Sequence, residues 1–271
     1  MNRITKRFEV LKNRQEPAFI PYITAGDPSI EQTEQIIYAL ESAGADVIEL
    51  GVPFSDPVGD GPVIQAAAAR ALEKHVNLKQ IFAMVQRVRE RSEVPLLLFS
   101  YFNPIFVYGY DRFASEAAAS GVDGVLCVDF PPEEATEYKE ALQRNGIATV
   151  FLTAPTTTDD RLELVAKQCT GFVYYVSRLG VTGEQAALAA DLDDALARIK
   201  RHTDKPVAVG FGISTPEQAA KVAGLAEGVV VGSAIVRLIA EAGDSPDTAS
   251  RVLEFAKSLA DAAKGRAVAA G

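Results

Sequence analysis

The chain has 271 residues, 48% hydrophobic and 23% charged, with a formal net charge of -9, the balance of a soluble globular protein with a substantial core. The acidic surplus, with no basic cluster longer than Arg198, Lys200 and Arg201, argues against a nucleic-acid partner, although helix N-termini can still hold an anionic ligand. No apolar run approaches the roughly 20 residues needed to span a bilayer, so no membrane partner is expected and the cytoplasm is the expected compartment.

The opening residues, MNRITKRFEVLKNRQE, are basic but lack the apolar stretch of a signal peptide; Ile4, Phe8 and Leu11 predict a short amphipathic helix. Short apolar runs then recur: AFIPYIT from Ala18, DVIEL from Asp46, PLLLFSY from Pro95, VDGVLCV from Val122, IATVFL from Ile147, GFVYYVS from Gly171, PVAVGF from Pro206 and GVVVG from Gly228. Between them lie segments of helical periodicity, with Ile36, Leu40 and Ala43 on one face and Leu188, Leu192, Leu196 and Ile199 on another. Strict alternation of strand and helix implies right-handed crossovers and a parallel sheet, and eight repeats suffice to close a (β/α)8 TIM barrel. An open doubly wound sheet is the alternative, but no GxGxxG fingerprint follows the first run.

The intervals after the second and sixth runs are longer than the rest, which predicts elaborated loops after strands 2 and 6 on the active face of the barrel. The second of these, SRLGVTGEQ, has the composition of a mobile lid. Ser233 to Glu241 reads as a short helix, and a longer terminal helix follows, with Asp244 or Ser245 as its cap and Pro246 in its first turn; the tail GRAVAAG is expected to fray. No linker or composition shift divides the chain, so residues 1–271 are read as one domain. Cys127 and Cys169 lie in or beside apolar runs and are expected in the core; His75 and His202 lack ligand-like spacing, and no metal is expected.

Two stretches carry chemistry. DVIELGVPFSDPVGDGP (Asp46–Pro62) places Glu49 near the end of an apolar strand and Asp56 and Asp60 in the loop beyond it. A carboxyl buried there has a raised pKa, the property a general acid needs. At the other end of the chain, GFGIS (Gly210–Ser214) and VGSAI each lead from a strand into a helix, so Gly212, Gly232 and Ser233 offer backbone N–H groups to one phosphate dianion.

With those pieces placed, PYITAGDP (Pro21–Pro28), IELGVPFSDPVGDGP (Ile48–Pro62), VDFPPEE (Val128–Glu134), SRLGVTG (Ser177–Gly183), PVAVGFGIS (Pro206–Ser214) and VVGSAIV (Val230–Val236) occur in an order and spacing that closely resemble the α subunit of tryptophan synthase. The resemblance spans the chain and implies a lyase that cleaves indole-3-glycerol phosphate to indole and glyceraldehyde 3-phosphate. The indole would pass to a β subunit carrying pyridoxal phosphate, in an α2β2 assembly, with no cofactor in this chain. It implies Glu49 as proton donor and Asp60 as acceptor for the indole N–H. Tyr22, Tyr101, Tyr174 and Phe211 would line the indole pocket, Thr182 of the lid would meet Asp60, and Gly183, Gly212, Gly232 and Ser233 would hold the phosphate. Pro53, Asp56, Asn103, Asp129 and Pro131 are the implied contacts to the β subunit, within strand-end loops at 103–108 and 129–132. Three further readings stay open: a sugar-phosphate isomerase or epimerase on the same scaffold, an idle subunit that only activates its partner, and an independent indole producer.

Overall fold

The computed structural model of the chain describes residues 2–177, 185–210 and 212–266. Each of the apolar runs is a strand: β1 (Ala18–Thr24), β2 (Ile48–Gly51), β3 (Leu96–Ser100), β4 (Gly124–Cys127), β5 (Ala148–Thr153), β6 (Val173–Val176), β7 (Val207–Gly210) and β8 (Gly228–Val231). All pair in parallel with their sequence neighbours, and β8 pairs with β1 to close the barrel. The helices are α1 (Arg3–Arg14) before β1, α2 (Ile30–Ser42), α3 (Pro62–Glu73), α4 (Leu78–Arg89), α5 (Phe102–Tyr108), α6 (Tyr110–Ser120), α7 (Thr136–Arg144), α8 (Asp159–Gln168), α9 (Gln185–Lys200), α10 (Pro216–Ala223), α11 (Ser233–Ala242) and α12 (Thr248–Ala263).

The strands read as near-continuous apolar runs because both of their faces are covered. Alternate residues divide accordingly. Ile20, Val47, Leu97, Leu126 and Val150 fill the barrel interior, while Phe19, Ile48, Leu96, Leu98 and Val125 pack outward with the helices. The amphipathic α1 closes the lower end: the Asn2 side chain accepts from the Ile4 N–H at 2.9 Å, and Ile4, Phe8 and Leu11 join the interior cluster. Two buried aspartates fasten that end. Asp46 accepts from the Phe19 N–H (2.7 Å), Arg7 Nε (2.8 Å) of α1 and Lys264 Nζ (2.9 Å) beyond α12. Asp123 accepts likewise from the Leu96 N–H (2.9 Å), Arg89 (2.8 Å) and Arg3 (3.1 Å).

The helix faces expected from periodicity are buried at Ile36, Leu40 and Ala43 and at Leu192, Leu196 and Ile199, the expected Leu188 side chain lying outside the described residues, and both cysteines are buried and free. Three details differ from expectation. Most of the extra length after β2 is helical, since α4 follows α3, capped by Asn77 and Gln80. Residues 102–108 form α5 instead of a loop, because Asp129 accepts the Phe102 N–H at 2.7 Å and supplies the start of the helix from the end of the neighbouring strand β4. The terminal helix begins later than expected, with Asp247 at its N-cap, no side-chain cap and Pro246 before its first turn. The expected fraying at the tail lies largely outside the described residues. No described helix is long and apolar enough to cross a membrane.

Candidate active site

Strand parity places Glu49. Val47 points into the barrel, so Glu49, two residues on, occupies the next inward level, and Tyr22 of β1 is its register partner. The side chain is 1% exposed and neither carboxylate oxygen has a hydrogen-bond partner among the described residues. With nothing to stabilise the anion, burial pushes its pKa up to about 8. The carboxyl is therefore held protonated at neutral pH.

Above Glu49 lies a cavity of about 360 Å³ at the C-terminal end of the barrel, walled by Phe99, Leu152, Val176 and Val230 and reached by Asp60 from the side. Tyr22 and Tyr174 flank it. Tyr22 meets Phe99 edge-on at 5.3 Å between ring centroids. Each tyrosine leans across a glycine of the next strand: a Cβ on Gly51 would lie 2.1 Å from the Tyr22 hydroxyl, and one on Gly210 2.2 Å from that of Tyr174. The adjacent Tyr175 faces the helix layer, as alternation requires.

The acidic loop is built around Tyr101. The hydroxyl of Tyr101 accepts the Gly59 N–H at 3.0 Å, and its ring stacks on Phe54 with centroids 5.2 Å apart. Gln65 in α3 donates to the Asp60 carbonyl at 2.8 Å, and the Asp60 N–H donates to Pro57 at 3.0 Å. Burial pushes the Asp60 carboxyl up to about 6, and a hydrogen bond from Tyr101 opposes the shift. Tyr101 thus stands behind the acidic loop, at the end of β3, as a support for Asp60.

Gly212, Gly232 and Ser233 border the same cavity. Gly212 has a positive φ of 81°, and Ser233 opens α11, whose first N–H groups have no intrahelical acceptor. Arg237, also on α11, borders the cavity too. No lysine lines it among the described residues. The expected Thr182, Gly183 and Phe211 lie outside the described residues.

Of the residues expected at a partner surface, Asp56, Asn103, Asp129 and Pro131 are exposed, whereas Pro53 is buried at the base of the acidic loop. Beside them Val58, Phe106 and Val107 leave 85%, 58% and 76% of their surface exposed. No group of three or more His, Cys, Asp or Glu among the described residues is placed to hold a metal ion. The sequence reading missed Phe99, Leu152, Val176, Val230 and Arg237. The first four sit two residues beyond Leu97, Val150, Tyr174 and Gly228, so counting strand parity from the interior residues finds them.

Comparisons with known proteins give the family. The family described as tryptophan synthase alpha chain matches residues 8–264. The tryptophan synthase alpha chain of Geobacter sulfurreducens is 49% identical over 262 residues, covering 97% of this chain and 99% of its own. A crystal structure of tryptophan synthase subunit alpha from Legionella pneumophila superposes with a TM-score of 0.91 at 40% identity, covering 98% of this chain and 99% of its own. A chain in the crystal structure of the tryptophan synthase complex from Pyrococcus furiosus has a TM-score of 0.81 at 41% identity, covering 89% and 97%. A barrel of this topology, matched along nearly its whole length, belongs to the tryptophan synthase alpha chain family, the lyases that cleave indole-3-glycerol phosphate to indole for a β subunit.

Proposed function

We propose that Glu49 and Asp60 carry the retro-aldol cleavage of indole-3-glycerol phosphate, in residues 1–271 acting as one domain. Indole leaves poorly as a carbanion, so its C3 must first be protonated. Glu49, protonated at neutral pH by its burial, delivers that proton. Positive charge then develops on the ring nitrogen, and the ionised Asp60 accepts the ring N–H and stabilises it. As the C–C bond breaks, its electron pair returns to the indole ring and the glycerol hydroxyl loses its proton. The Glu49 carboxylate takes up that proton, so the acid is restored with release of indole and glyceraldehyde 3-phosphate.

Tyr22, Tyr174 and the barrel aliphatics hold the indole, while Gly212, Gly232 and Ser233, with Gly183 from the lid, hold the phosphate; Thr182 and Phe211 complete the site. This chemistry needs no cofactor in this chain; pyridoxal phosphate belongs with the β subunit. The exposed Val58, Phe106 and Val107 support a partner surface spanning Asp56, Asn103, Asp129 and Pro131, with the buried Pro53 beneath it, for a β subunit in an α2β2 assembly.

The observation that carries the reading is the unpartnered Glu49 carboxyl in an apolar cavity shared with Asp60. Its test is an assay for indole from indole-3-glycerol phosphate, with and without a β subunit. Glu49→Gln is expected to lower turnover by about 10³-fold while substrate still binds. Near-normal turnover of that variant would remove Glu49 from the chemistry.

A further inference from the structure

Arg237 is an exposed residue of α11 and the single cationic side chain among the described residues that line the cavity. It lies four residues after Ser233, the first residue of the helix, so the two share one helix face. Helical side chains lean toward the N-terminus and cover the turn before their own Cα, which carries the guanidinium toward the N–H groups at Gly232 and Ser233. Arg237 has no hydrogen bond or salt bridge to any described residue, although this chain carries an acidic surplus. Glu49 and Asp60, the acids that line the cavity with it, form no ion pair with Arg237, and Glu49 is itself buried and unpartnered. A cavity that holds the ionised Asp60 repels a dianion unless a positive group stands at its entrance.

We propose that Arg237 is a specificity-determining residue that recognises the phosphate of the substrate at the α11 N-terminus, adding a charge-assisted contact to the backbone N–H groups. The inference rests on the phosphate reading of the site given above. It assigns Arg237 to ground-state binding and capture, away from the proton transfers, because the phosphate is remote from the bond that breaks. An uncharged substituent therefore affects KM and leaves the chemical step alone. Lysine at the same position restores the charge but not the planar fork, and so recovers part of the affinity.

The test compares wild type, Arg237→Gln and Arg237→Lys by calorimetric titration with glycerol 3-phosphate and by steady-state kinetics with indole-3-glycerol phosphate. Expected for Arg237→Gln are an increase on the order of tenfold in both Kd and KM, an unchanged kcat, and a weaker dependence of Kd on salt. Arg237→Lys is expected to fall between. If wild type binds glycerol 3-phosphate and Arg237→Gln binds it equally well, the role of Arg237 is overturned while the phosphate site stands. If kcat falls with Kd unchanged, the residue acts on another step and the inference fails. If wild type itself binds no glycerol 3-phosphate, the phosphate reading fails and takes this inference with it.

Discussion

The hydroxyl of Tyr101 lies 3.0 Å from the backbone nitrogen of Gly59, one residue before Asp60. Tyr101 is also the N-cap of α5, the helix that presents Phe106 and Val107 to solvent. One buried side chain therefore connects an exposed apolar helix with the carboxylate proposed to face the indole nitrogen.

Tyr101→Phe tests that connection. Removing the hydroxyl leaves the Gly59 N–H without its acceptor and takes from Asp60 the hydrogen bond that opposes its raised pKa. Asp60 must be ionised to accept the indole N–H, so the acidic limb of the pH profile, expected near 6 in wild type, moves to higher pH in the variant. Turnover is expected to drop about tenfold at the wild-type optimum. A kcat/KM profile measured from acid to alkaline pH reads both effects.

Glu49 governs the alkaline side. It must be protonated to act, so activity declines as pH rises through about 8, giving a bell between the two carboxyls. The same shift appears in stability. The folded pKa of about 8 lies above the ordinary glutamate value of 4.5, so this contribution is fully present below 4.5 and is lost as pH rises to 8. The loss amounts to about 5 kcal/mol at most. Glu49→Gln removes the charge to be suppressed, and denaturant titrations should show the variant gaining on wild type at pH 8 and not at pH 4.

Gly51→Ala probes the wall of the cavity. The added Cβ would lie 2.1 Å from the Tyr22 hydroxyl, so the ring has to move or the strands have to part. About 1–3 kcal/mol of stability should be lost, with a rise in KM as Tyr22 is displaced into the cavity. Thermal denaturation and steady-state kinetics on one preparation check the pair of effects.

At the lower end of the barrel, Asp46→Ala leaves Lys264, whose side chain is 3% exposed, without its carboxylate partner, and frees Arg7 of α1. Loss of a buried charged partner costs about 3–5 kcal/mol. Below the unfolding transition kcat should be unchanged, because Asp46 precedes β2 at the end opposite the cavity. Denaturant midpoints and native-condition turnover distinguish this structural role from a catalytic one.

Much of this protein was legible in its residues. The eight strands announced themselves as apolar runs because a barrel strand is buried on both faces, and Leu192, Leu196 and Ile199 marked a helix by the period of its one covered face. Glu49 stood out because a carboxylate in such a run has no solvent to turn to. Strand parity contains Phe99, Leu152 and Val176 as well, but only once the inward residues of each strand are known.

The tertiary structure decided the rest, through contacts between residues distant in the chain. Asp129, just beyond the neighbouring strand β4, starts α5 and turns an expected loop into a helix, and Tyr101 supports the acidic loop from the end of β3. Arg237 meets the cavity through the phase and placement of α11. Periodicity reports which face of an element is buried, and so the strands and helices followed from local pattern. Which partner a side chain finds depends on how those elements are brought together, and that is set by barrel closure.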